Sequence, residues 1–283
     1  MHSESVEQLA ARTGLKPIGV RPPLGAYLRE TWLRRDFIWT LAVLTREQQN
    51  ARTRLGAWWT LLLPLIQSSV YGLIFGVILG ASRAPNFIPF LVAGVFLFTF
   101  VSGAFSTGAS SITGNQGLLN SINFPRIVLP LSVVVRQFLN LLPTLPILLV
   151  VVIIFDHAVK WELLYLPLIL ALLLLFGFGV ALIAARITVE VRDLNKLVPF
   201  VTRVLFYMSG VFFSPESLGI TNPVFVALVH YNPVYAFLSL GRGAFVAGYD
   251  VTLFDWAVAG GWTLLVLVVG VLFFWRAEER YGE

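Results

Sequence analysis

Asp156, His157 and Glu162 bring carboxylates and an imidazole within a few residues of each other in the short connection between two long apolar runs. Such a group could pass protons at a water–membrane face, as an integral-membrane transferase requires. Between two long apolar runs, the same residues also solvate a tight turn, and that reading is preferred here. A second constellation, Arg136, Gln137 and Asn140, lies inside an apolar run. Arg136 and Asn140 are four apart and share a helix face. A cation about eight positions into a span is costly and faces protein or water. It serves either a structural ion pair, with Glu190 or Asp193, or a transport path, and the two readings weigh equally.

Other chemistry is missing from the pattern. There is no cysteine, and His2, His157 and His230 are scattered, so no metal cluster is expected. No G-x-x-x-x-G-K-[ST] phosphate loop, H-E-x-x-H or G-x-S-x-G is found. Nor is there the intramembrane ladder of ionisable residues expected of a proton-coupled carrier. A transporter with neither device borrows its energy from another chain.

The elements that must position these residues are long and greasy. The chain has 283 residues, 57% hydrophobic and 12% charged, against about a quarter charged in a soluble average. Four runs are nearly free of charge: Trp58–Leu79, Phe87–Ala109, Val128–Phe155 and Leu163–Ala185. Two less clean ones follow at Leu197–Phe213 and Trp256–Trp275. About 20 apolar residues in a helix cross a hydrocarbon core of about 30 Å. A transmembrane barrel would show shorter segments of alternating polarity instead. The fold class is therefore all-α, a polytopic membrane protein with six transmembrane helices.

The net charge of +5 invites a nucleic-acid partner, but its distribution argues against one. Fifteen of the twenty Lys and Arg precede the first span or fall in alternate connections and the tail, against three on the other side, Arg83, Lys160 and Arg242. This asymmetry places both termini in the cytoplasm and requires an even number of spans. No cleavable signal peptide is evident.

The chain divides into a weakly structured lead (1–26), an amphipathic interface region (27–56), the six-span domain (57–276) and a short tail (277–283). In the interface region Leu28, Trp32, Trp39 and Val43 recur at near-helical spacing between basic residues, which suits a helix lying in the membrane interface. Gly72, Gly76 and Gly80 share one face of span one and predict close approach of another helix. Pro143 and Pro146 predict a kink in span three. Between spans five and six, Val224–Val229 and Tyr235–Val246 are apolar but too short to cross, and read as external re-entrant or interfacial helices, either a gate or a packed cap.

Four segments then resemble one family. Arg46-Glu47, Arg52-Thr53-Arg54-Leu55-Gly56-Ala57-Trp58-Trp59 and Leu63-Pro64-Leu65 look like the opening signature of type-2 ABC exporter permeases. Phe124-Pro125-Arg126-Ile127-Val128-Leu129-Pro130 is similar to their F-P-[RK]-x-[IV]-L-P segment. Arg192-Asp193-Leu194, Pro199 and Ser209 to Pro215 resemble their R-D-L…P…S-P stretch, and Asn232-Pro233 with Arg242 matches N-P-x(8)-R. One departure is Gln48-Gln49-Asn50, where a more apolar stretch is usual. The resemblance spans residues 45–275 and is strongest to the polysaccharide and O-antigen export branch.

That resemblance implies a homodimer in the inner membrane of a bacterium, working with a separate nucleotide-binding ATPase that holds ATP and Mg, so that this chain carries no cofactor of its own. It implies a coupling helix for the ATPase at Asn115, Gln116, Leu118, Leu119, Asn120, Ile122 and Asn123. It implies an external gate including Tyr231, Asn232, Pro233 and Arg242. Sugar chains stack on aromatic rings, so the path candidates are Trp58, Trp59, Tyr71, Phe75, Phe96, Phe98, Phe100, Phe206, Tyr207, Phe212 and Phe213. The expected cargo is a lipid-linked polysaccharide. Seventeen Arg against three Lys hint at a GC-rich genome, which adds an actinobacterial galactan to O-antigen and teichoic acid as cargoes. The alternatives are a drug, lipid or haem exporter of the same superfamily and a glycan transferase.

Overall fold

Pro22 and Pro23 end the lead, and the chain then turns helical. The computed structural model describes residues 22–78, 86–122, 124–156, 160–215, 219 and 222–278. The expectation for residues 1–21 lies outside the described residues. α1 (Leu24–Leu33) and α2 (Arg35–Ala51) meet at Arg34 and form the interface region. Their inward face is Tyr27, Thr31 and Ala42, which are buried. Trp32 and Trp39 stay exposed on the other face, where their amphipathic rings suit a membrane boundary.

Span one is a composite. A 3-10 turn (Gly56–Trp58) leads into α3 (Trp59–Tyr71), which passes into a π-helical segment (Gly72–Ile78). Pro64 lies inside α3, and Ser68 donates its hydroxyl to the Pro64 carbonyl at 2.8 Å, as serines in membrane helices commonly do. Span two is α4 (Phe87–Ala109), buried along most of its length. A connection carrying the short α5 (Gln116–Ser121) follows. Span three is α6 (Val128–Leu141) and α7 (Thr144–Asp156), which separate at Leu142–Pro143 where a kink was predicted. Span four runs from a 3-10 turn (Trp161–Tyr165) through α8 (Leu166–Glu190). Span six is α12 (Leu253–Trp275), started by a capping box in which Thr252 and Asp255 satisfy each other's backbone N–H groups.

The predicted fifth span is shorter than its apolar run. α9 (Leu194–Met208) has fifteen residues, about 22 Å of helix, and completes a crossing only with the residues that follow Met208. Gly210 adopts φ +63° just past its end, the left-handed position that glycine occupies at helix C-termini. Two further helices follow, α10 (Pro223–His230) and α11 (Pro233–Phe245), bent 74° from each other. Among the described residues, five helical stretches are long and apolar enough to cross, and six if this bent pair counts as one span. The turn between them lies deep. The Trp262 indole N–H donates to the Tyr231 carbonyl at 2.9 Å, and Trp262 stands nine residues into α12, about 13 Å from its start. A helical pair that enters and returns from mid-depth is the re-entrant arrangement expected from its length.

Of the span-one glycines, Gly76 is buried, while the tightest crossing lies elsewhere. A Cβ on Gly72 would meet only a Leu91 methyl at 3.6 Å, an ordinary contact, and Gly80 lies outside the described residues. Spans four and six make the close crossing instead. A Cβ on Gly179 would come 2.6 Å from the Val266–Leu267 backbone, and one on Gly270 2.7 Å from the Gly179 carbonyl oxygen. Without water to drive burial, such backbone proximity is how membrane helices gain contact.

A second core sits at one end of the bundle, which carries α1, the connection through α5 and the chain's last described turn. Tyr27, Ile112, Phe124, Ile127, Leu182, Phe274 and Ala277 are buried together there. Most arginines flank this end, and it is called the basic end below.

Candidate functional site

Three places gather the residues that the sequence singled out. The first is a cavity of about 320 Å³ between spans one, two and three. Trp59, Phe96 and Phe100 give it aromatic walls, and Thr60, Gln67, Thr99, Gln137, Asn140 and Thr144 give it amides and hydroxyls. Gln137 Nε2 donates to Thr107 Oγ1 at 3.2 Å, and Arg46 Nε donates to Asn140 Oδ1 at 2.9 Å. A Cβ on Gly103 would strike the Gln137 carboxamide at 2.8 Å, so this glycine makes room for it. The lining offers neutral donors and acceptors beside flat rings, the chemistry that suits sugar hydroxyls and ring faces. Sequence reasoning named Trp59, Phe96, Phe100, Gln137 and Asn140. It missed Thr60, Gln67, Thr99 and Thr144, because a threonine in a span ordinarily bonds its own helix, as Thr99 and Thr144 also do here.

Arg136 departs from its expected partners. Glu190 is 3.3 Å from Arg186, and Asp193 is 3.1 Å from Lys196. Among the described residues Arg136 makes no ion pair, and its buried Nε has no hydrogen-bond acceptor. Arg136 stands eight residues into span three, as the sequence places it. Span three is 28 residues long, and about 20 residues suffice to cross. Counted back from Phe155, such a stretch begins at Arg136 itself. On that count Arg136 stands at the end of the apolar stretch nearest the basic end, with Gln137 and Asn140 within the next turn.

The second place is an aromatic cluster joining spans one, two and five. Tyr71 lies 5.1 Å from Phe206 and 5.0 Å from Phe212 between ring centroids. Phe75 stacks on Phe212 at 4.4 Å, Phe98 meets Phe206 edge-on at 4.9 Å, and Tyr207 meets Phe206 at 5.7 Å. Phe98, Phe206 and Phe212 are buried, and Phe213 is half-buried against the same core. Tyr207 and Trp58 are exposed.

The third place is the re-entrant pair. Asn222 and Asn232 each cap a helix whose first residue is proline, the pairing that helix N-termini favour. Asn232 Oδ1 accepts from the Val234 N–H at 2.9 Å, and its Nδ2 donates to Ser209 Oγ at 3.2 Å. Tyr231, Asn232 and Pro233 line an apolar crevice of about 850 Å³ that Phe98 and Trp262 also reach. Arg242 is fully buried. It donates Nη2 to the Gly210 and Val211 carbonyls at 2.9 and 2.8 Å and Nε to the Phe90 carbonyl at 3.3 Å. Its guanidinium lies 3.5 Å from the centre of the Phe90 ring.

At the basic end, α5 presents the residues expected to couple to a partner. Gln116 and Ile122 are exposed, Leu118 and Leu119 are half-buried against the second core, and Asn115 Nδ2 donates to the Ser111 carbonyl at 2.8 Å. The Asn120 side chain and Asn123 lie outside the described residues. The base of this connection is clamped by residues that sequence reasoning missed. Glu278 Oε1 accepts from the Arg126 backbone N–H at 2.8 Å, and Arg126 Nη1 donates to the Glu278 carbonyl. Of the acid and imidazole group, the Asp156 side chain and His157 lie outside the described residues. Glu162 lies beside Lys160, whose ammonium donates to the Gly243 and Tyr249 carbonyls at 3.3 and 3.2 Å.

Residues 39–246 match the family described as ABC-2 type transporter. The O-antigen export system permease protein RfbA of Myxococcus xanthus is 30% identical over 207 residues, covering 69% of this chain and 79% of that protein. A protein of the same name from Klebsiella pneumoniae is 26% identical over 249 residues, 86% of this chain and 93% of its own length. The polysialic acid transport protein KpsM of Escherichia coli is 25% identical over 232 residues, 80% and 87% of the two chains.

Proposed function

The chain belongs to the ABC-2 type transporter family, and on that premise we propose that two copies of it form the membrane part of an exporter for a lipid-linked polysaccharide. The basic end faces the cytoplasm of a bacterium, with both termini on that side. α5 seats in a separate ATPase subunit, which binds ATP and Mg and supplies the power stroke. The re-entrant pair α10–α11 gates the opposite side.

The observation that carries the cargo class is the cavity bounded by Trp59, Phe96, Phe100, Gln137 and Asn140. Its polar groups are amides and hydroxyls, so it offers sugar hydroxyls partners without demanding a charge. A small apolar cargo needs no such lining. Relatives named for O-antigen export and polysialic acid transport support the same reading.

The test uses the full chain with its ATPase. Depleting the chain should leave glycan unexported inside the cell. Gln137→Leu with Asn140→Leu should lower export about tenfold, the worth of one or two hydrogen bonds to a sugar hydroxyl, while the complex still assembles and hydrolyses ATP. Vesicles in which this subunit alone moves glycan, or cells whose glycan export survives its depletion, would refute the proposal.

A further inference from the structure

A slot of about 460 Å³ opens beneath the α1–α2 pair. Its floor and walls are Ile127, Leu131, Phe178, Leu182, Leu267 and Val271, from spans three, four and six. Its lip is Trp32, Trp39 and Arg35. Two lining side chains are polar. Thr31 has spent its hydroxyl on the Tyr27 carbonyl at 2.8 Å, which leaves Arg35.

The slot stands at one particular depth. About 20 residues cross the hydrocarbon, and counted from Trp161 and Leu253 such stretches end at Val180 and Leu272. Phe178 and Leu267 then lie inside the hydrocarbon, while Leu131 lies beyond its boundary at Arg136. The slot therefore runs from the acyl region out to the headgroup layer. A cavity with these walls at this depth takes an acyl chain, since apolar surface there has no other partner.

The lip adds a sign. Arg35 lies 5.7 Å from the centre of the Trp32 ring. Its nearest carboxylate is Asp36 at 3.9 Å, with that side chain 90% exposed, a pair of little worth in water. Arg29 is exposed on α1, and Arg34 is already paired with Glu30 at 3.4 Å. A basic rim over an apolar slot between membrane helices complements a phosphate headed by no cation.

We propose that this slot is a binding site for an anionic phospholipid of the leaflet at the basic end. One acyl chain fills the walls, and the phosphate meets Arg35 between Trp32 and Trp39. The occupant braces the α1–α2 pair against spans three, four and six, directly behind Arg126 at the base of the α5 connection. The proposal stands apart from the export reading, and either can fail alone.

The full chain in nanodiscs of equimolar phosphatidylglycerol and phosphatidylcholine, released for native mass spectrometry, reports which lipid it keeps. The wild type should retain phosphatidylglycerol about fivefold over phosphatidylcholine, the preference expected of one basic residue at a charged surface. Arg35→Gln, an exposed change, should abolish that preference, and Arg35→Lys should keep it. Leu131→Trp, which fills the slot, should lose both lipids. Equal retention by the wild type overturns the site, as does a preference that survives Arg35→Gln. Displacement of phosphatidylglycerol by an equal amount of polyprenyl phosphate also overturns it, because the slot would then belong to a carrier lipid.

Discussion

Tyr27 donates a 2.6 Å hydrogen bond to Glu278 Oε2 across 251 positions of the chain. Both side chains are buried, and the other oxygen of the same carboxylate accepts the Arg126 backbone N–H. One carboxylate thus joins the first helix, the last turn and the base of the connection that carries α5. Trp275 adds a second tie, donating its indole N–H to the Pro22 carbonyl at 2.8 Å. Through these bonds the base of the α5 connection is tied to both α1 and span six.

Removing the phenol hydroxyl tests that joint. Tyr27→Phe keeps the ring in the second core and leaves one buried carboxylate oxygen without its donor. A bond to a charged acceptor is worth about 1.5–3 kcal/mol. The variant should melt earlier by tryptophan fluorescence, and export per ATP hydrolysed should fall. An unchanged ratio of export to hydrolysis would mean that the joint only stabilises the fold.

The same carboxyl should impose a pH dependence. Burial pushes the Glu278 carboxyl above its ordinary value, against the pull of the Tyr27 hydroxyl and of Arg126. A group raised in the folded state contributes stability that is full below its ordinary unfolded value and is lost as pH rises through the raised one. The wild type should therefore lose melting temperature as pH climbs from the ordinary carboxyl range through that raised value. Glu278→Gln does not titrate, and its curve should lack that decline. Parallel curves would remove Glu278 from the account.

The close crossing of spans four and six makes a paired prediction. Gly179→Ala puts a methyl 2.6 Å from backbone atoms of Val266 and Leu267, which cannot rotate away. Overpacking of this kind costs about 1–3 kcal/mol. Gly72→Ala meets an ordinary contact at 3.6 Å and should be nearly silent. Thermal melts of the two variants in one detergent decide it. Equal effects would return the close-packing face to span one.

Much of this architecture can be read from the sequence, because crossing a bilayer imposes one long apolar signal on each span. The signal fails where apolar runs and helices part company. Val211, Phe212 and Phe213 continue the run of span five, yet the helix has ended, and Ser209-Gly210 was the available stop signal. The Trp32 and Trp39 stripe was legible as amphipathic, but Tyr27 and Thr31 bury the opposite face, and periodicity cannot rank two faces that are both partly apolar. The Tyr27–Glu278 bond leaves no local trace at all. The polar cavity was half legible: Gln137 and Asn140 stand out in a span, whereas Thr60, Thr99 and Gly103 look like ordinary helix residues.

Arg242 gives the sharpest test of the re-entrant pair. Its guanidinium holds three carbonyls, those of Phe90, Gly210 and Val211, with its carbon 3.5 Å over the centre of the Phe90 ring. Gly94 faces it with no side chain, and a Cβ there would come 2.7 Å from Nη2. This one side chain ties α11 to span two and to the turn that follows α9. A lysine carries the same charge but is a point donor on a flexible stem, so it cannot stack on the ring and reach separated carbonyls together. Arg242→Lys should therefore fail to substitute. Each buried carbonyl left without a donor costs about 1–3 kcal/mol, so the variant should lose stability on that order. If the pair is the gate, export should fall further than stability alone explains, while ATP hydrolysis by the assembled complex persists. Full export by Arg242→Lys would show that charge suffices, and the geometry of the tether would then carry no function.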